Sequence, residues 1–133
     1  MKLGDVAGLY AVVMGVAIAS MWTVLIGTGQ AEEIETEPIR ISFHLAGEFI
    51  TAAALIAGGL GLIFNAKWGF TLYFVSMGML SYTVVVSPGY YGQEGEYAFV
   101  VMFAVFMAIT ALLIACALKD ESLFRTHSRE KKP

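Results

Sequence analysis

The sequence predicts an all-α membrane protein: four transmembrane helices in an up-down-up-down bundle, with both termini in the cytoplasm. Three observations carry this expectation. Hydrophobic residues make up 58% of the 133 and charged residues 14%, with a mean hydropathy of +0.73, whereas a soluble domain is about half apolar and about a quarter charged. The apolar residues gather into four blocks, each long enough at about 1.5 Å per residue to approach or exceed a hydrocarbon core of about 30 Å. Lys2, Lys67, Lys119, Arg125, Arg129, Lys131 and Lys132 fall on one side of the four-span plan, with Arg40 alone on the other, and basic residues favour the cytoplasmic side.

The first span is expected from Val6 to Thr28. Lys2, the apolar run and Ala17-Ile18-Ala19 imitate a cleaved leader, but Asp5 weakens the basic start and the run continues to Ile26. The acidic connection GQAEEIETEPIR follows, with Pro38 preparing the next helix. The second span covers Ile41 to Phe64, and its Gly58-Gly59-Leu60-Gly61 favours close helix contact in lipid. NAKW makes a tight turn into the third span, Gly69 to Val86. SPGYYGQEGEY reads as a loop, because Pro88-Gly89, Gly92 and Gly95 are turn residues. The fourth span runs from Tyr97 to Leu118, and residues 125–133 read as a flexible basic cytoplasmic tail. A soluble helical core is excluded because the segments leave no wide polar face.

Composition also narrows function. No basic stretch carries interleaved aromatics, so nucleic acid is not an expected partner; the lipid bilayer is. Cys116 is the one cysteine, which rules out an intrachain disulfide and a CxxC pair. The methionines form no chelating cluster and read as apolar filler. Glu32, Glu33, Glu35 and Glu37 read as a solvated external loop, with concentration of cations at the outer mouth as the competing reading.

The second span carries the chemistry. With about 100° between successive residues, Arg40, His44 and Glu48 share a face with Gly47, Thr51 and Gly58, while Leu45, Phe49, Ile56, Leu60 and Ile63 occupy the other. Glu48 lies roughly 10 Å inside the apolar run. Charge is costly there, so such residues turn toward protein or water and mark functional sites. Ser20, Thr23 and Gly27 form the expected facing stripe on the first span. Tyr73, Ser76, Thr83 and Ser87 form that of the third, and Phe99, Phe103, Phe106, Met107 and Thr110 that of the fourth. Their convergence predicts an outward-opening polar pocket with Glu48 at its floor and His44 above. The competing reading is a structural clamp in which His44 and Glu48 satisfy each other, with Ser20 or Tyr73 as partners.

The expected function is non-enzymatic binding or transport of an ion, a proton or a small ligand, with His44, Glu48, Arg40, Thr51, Ser20, Thr23, Tyr73, Ser76 and Met107 as candidate contacts. Transport by so slim a bundle calls for a homo-oligomer. The alternatives are an accessory subunit of a larger membrane complex and a haem- or quinone-binding redox module. His44 would be the single intramembrane histidine, so haem would need a second copy or a methionine ligand. Hydrolysis lacks a nucleophile at a recognisable spacing from His44. Catalytic zinc needs about three protein ligands where His44 and Glu48 supply two. No pattern names a resident cofactor or metal.

Overall fold

The computed structural model describes residues 1–125. Among them every regular element is helical: α1 (Leu3–Gly27), a one-turn α2 (Glu33–Thr36), α3 (Pro38–Ile63), α4 (Gly69–Gln93), α5 (Tyr97–Lys119) and a 3-10 turn over Glu121–Leu123. The four long helices have 23 to 26 residues, or roughly 35 to 39 Å each. All four are long and apolar enough to cross a membrane. The chain is a multi-pass membrane protein built as an antiparallel four-helix bundle.

Helix ends follow local backbone chemistry. Asp5 accepts a hydrogen bond from the Lys2 backbone N–H at 3.1 Å and places a negative charge at the start of α1. Pro38 opens α3, where its missing N–H would have had no helical partner. Three helices stop in the same way. Gly29, Asn65 and Gly95 take the left-handed conformation (φ 71°, 54° and 79°). In each case the next residue donates five positions back, Gln30 to Leu25, Ala66 to Gly61 and Glu96 to Tyr91. This Schellman arrangement satisfies carbonyls that the helix end would otherwise leave open.

The expected loop at Pro88-Gly89 is corrected by the structure. Helix α4 continues through Pro88 to Gln93, and the chain turns at Gly95 instead. One proline removes a single N–H, which intramembrane helices tolerate when neighbours support the segment. That support comes from Tyr91, whose ring stacks on Phe99 and Phe103 of α5 with centroids 4.7 and 5.7 Å apart.

In lipid, burying a leucine against protein gains little over leaving it in acyl chains, so helices associate through close packing. Helix α1 packs along α3, α3 along α4 and α4 along α5. The closest approach of α1 and α3 is at Gly8 and Gly59, where a Cβ on Gly59 would lie 2.5 Å from the Gly8 carbonyl oxygen. Gly61 and Gly69 make the corresponding contact between α3 and α4. Helices α1 and α5 meet through side chains: the Tyr10 hydroxyl bonds Thr110 Oγ1 at 2.8 Å and donates to the Phe106 carbonyl at 3.2 Å.

After α5, Asp120 accepts from the Ser122 N–H at 2.9 Å and holds the 3-10 turn. The turn drives Phe124, 2% exposed, between Phe70 and Tyr73 and against the backbone of Gly4. Arg125, the first residue of the expected tail, pairs with Glu121 and lies 5.0 Å over the Phe70 ring. The remainder of that tail, with His127, lies outside the described residues.

Candidate functional site

Core residues are dense at the end of the bundle that carries the N-terminus and the close of α5. At the opposite end, below the α1–α3 and α4–α5 connections, the helices enclose a cavity of about 960 Å³. Met14, Ile18, Met21 and Trp22 of α1 form one wall, and Phe99, Phe103 and Phe106 of α5 form another. Glu33, Glu37, Glu94 and Glu96 line it near the mouth, together with Arg40.

Glu48 reaches this cavity from α3 and is 6% exposed. It sits ten residues from the start of α3, and Thr83 sits ten residues from the end of α4, so the antiparallel pair places both about 15 Å along. Thr83 Oγ1 donates to Glu48 Oε1 at 3.1 Å. The direction of this bond is informative. Thr23, Thr28, Thr36 and Thr51 all return their hydroxyls to the carbonyl four residues back, the usual way a helix satisfies a threonine internally. Thr83 reaches across to another helix.

Among the described residues Thr83 is the one hydrogen-bond partner of Glu48, and no Lys, Arg or His forms an ion pair with it. A hydrogen bond to a charged group contributes about 1.5–3 kcal/mol, while desolvating a carboxylate costs several. An ionised Glu48 is therefore under-compensated by its protein neighbours, and a positive charge arriving in the cavity would balance it.

The other expected site residues divide into three groups. His44 and Arg40 line the same cavity as Glu48. Although one turn from Glu48, His44 makes no hydrogen bond or ion pair with it among the described residues. Its ring instead meets Trp22 edge-on at 5.4 Å. Arg40 is 82% exposed and pairs with Glu37 at 2.5 Å. Thr51 is buried on the inward face just below, its hydroxyl donating to the Gly47 carbonyl at 2.8 Å.

Ser20, Thr23 and Met107 are not brought to the cavity. The inward face of α1 is set by Gly4, Ala7, Gly8, Ala11, Gly15 and Ile18, and at helical spacing it continues through Trp22 and Leu25, leaving Ser20 and Thr23 on the lipid side. Thr23 is satisfied there by the Ala19 carbonyl at 2.7 Å. On α5, Phe103, Phe106 and Thr110 take the inward positions, and Met107 is 44% exposed. Tyr73 and Ser76 are fully buried but at another depth. They lie ten and seven residues from Thr83 along α4, roughly 15 and 10 Å toward the packed end. Ser76 donates to the Tyr73 carbonyl at 2.8 Å, and the Tyr73 hydroxyl has no partner among the described residues.

Trp22 was not among the expected contacts. It lines the cavity, faces His44, and its buried Nε1 has no partner among the described residues. The signal that places it was the run of small residues spaced along α1, which defines that helix's inward side more reliably than its hydroxyls do. Among the described residues no three His, Cys, Asp or Glu side chains come together as metal ligands.

No curated protein and no solved structure matches the chain. The family model described as a domain of unknown function, DUF8058, matches residues 1–130, and the chain belongs to that family.

Proposed function

We propose that the protein binds a small ligand or ion, without chemistry on it, in the cavity floored by Glu48. The observation that carries this reading is a carboxylate 6% exposed, held by one threonine, facing a volume of about 960 Å³. Ligand cavities of about 300–1,000 Å³ with largely apolar walls and a few polar groups are the common form of a binding site. A purely structural clamp would join Glu48 to His44, and the ring of His44 is turned to Trp22 instead.

The orientation proposed from charge adds direction. Lys2, Lys67, Lys119 and Arg125 stand at the packed end and Arg40 at the other, which supports a cytoplasmic packed end and an outward-opening cavity. Movement of the bound species across the bilayer is the transport form of the same reading. Proteoliposomes carrying wild type or Glu48→Gln test it. Proton or solute flux should fall at least tenfold in the variant, and equal flux in both would remove Glu48 from any pathway.

A further inference from the structure

We infer that the cavity is built for a hydrophobic monovalent organic cation, a quaternary ammonium, phosphonium or protonated amine, whose charged centre sits at Glu48. The inference rests on the binding reading above and names its ligand class. Four features of the cavity converge on it. Charge comes first: Glu48 is the one carboxylate buried in the membrane interior among the described residues, and no protein cation is paired with it. One uncompensated carboxylate matches one positive charge.

Size is the second. A volume of about 960 Å³ far exceeds a proton or a bare metal ion and suits a drug-sized molecule, and no metal-ligating trio is present among the described residues. The walls are the third. Trp22, Tyr91, Phe99, Phe103 and Phe106 all line the cavity. Aromatic faces attract cations, more strongly where water is excluded, and they pack well on aryl or alkyl bulk. The mouth is the fourth. Glu33, Glu37, Glu94 and Glu96 outnumber Arg40, itself paired with Glu37, so the field at the entrance draws cations and repels anions.

Ligands matched in bulk but not in charge separate these terms. Tetraphenylphosphonium, neutral triphenylphosphine oxide and anionic tetraphenylborate are titrated into the full chain in lipid nanodiscs, with empty nanodiscs subtracted. The two tryptophans are Trp22 and Trp68, so in a Trp68→Phe background the fluorescence reports from the cavity. Calorimetry on the unmodified chain repeats the three titrations. Tetraphenylphosphonium should quench Trp22 saturably, with a Kd at least tenfold below that of the oxide, and tetraphenylborate should give no saturable signal. In Glu48→Gln the preference for cation over oxide should shrink below threefold. If the oxide or the borate binds the unmodified chain as tightly as the phosphonium, the cation assignment is overturned while the binding cavity stands. A tenfold preference that survives in Glu48→Gln overturns the assignment of the charge to Glu48. No saturable signal from any of the three overturns the binding reading itself, and the inference with it.

Discussion

The two ends of this bundle are built from different residues for different ends. At the packed end, glycines bring backbones together: Gly8 against Gly59, Gly61 against Gly69, and Gly4 under Phe124. At the open end, glycines do no such work. A Cβ at Gly27, Gly47 or Gly89 would meet nothing within 4 Å, and the space between helices is held by Trp22, Tyr91, Phe99 and Phe103 around a cavity. The difference teaches that small residues in a membrane helix do not by themselves mark an interface. They mark one where a glycine lets its backbone touch a facing helix, as Gly8 does at Gly59, Gly15 at Ala52 and Gly58 at Tyr73, because there van der Waals contact replaces lipid contact with a gain.

The largest expected effect tests that contrast directly. Gly59→Leu forces a side chain into the Gly8 backbone and should cost about 3 kcal/mol or more, at or above the upper end of ordinary overpacking. Gly47→Leu, at a position with open space, should stay within about 1 kcal/mol. Size-exclusion profiles and thermal denaturation in detergent would read both, and equal losses would break the two-ended picture. Phe124→Ala should destabilise by about 3 kcal/mol, the low end of a buried phenylalanine deletion. An unchanged Tm would mean that the turn after α5 contributes nothing to the packed end.

Tyr10→Phe removes the hydroxyl that joins α1 to α5 and leaves Thr110, 1% exposed, without that partner. A loss of about 1–2 kcal/mol is expected, read as lowered resistance to denaturation by dodecyl sulfate. The smallest effect separates two turn-like glycines at the open end. Gly95→Ala should cost about 1 kcal/mol because φ is +79° there, whereas Gly89→Ala, inside α4, should be neutral or stabilising by up to about 1 kcal/mol. Comparable penalties at both would restore the turn to Pro88-Gly89.

Particular residues show what could be read in advance. The inward positions of Glu48, Thr51 and Gly58 were legible because one helix places residues three, four and seven apart on a common side, and a carboxylate cannot face lipid cheaply. Thr23 misled because its hydroxyl, unlike a carboxylate, is satisfied by its own helix and has no need to turn inward, and Ser20 stands exposed on the same outer side. Pro88-Gly89 misled because ring stacking between α4 and α5 outweighs one lost backbone bond. Tyr73 and Ser76 share a helix side with Thr83, but angle alone does not give depth, and they belong to the packed end.

The sequence alone determined that four helices span the membrane and that Glu48 turns inward, since length, hydropathy and the cost of buried charge are properties of a segment and its solvent. Tertiary structure decided which helix ends pack and which part, that Thr83 rather than His44 holds the carboxylate, and that Trp22 stands beside the space left over. Those outcomes depend on the relative height and rotation of separate helices, set by where glycines let two backbones meet across an interface, and no single segment carries that information.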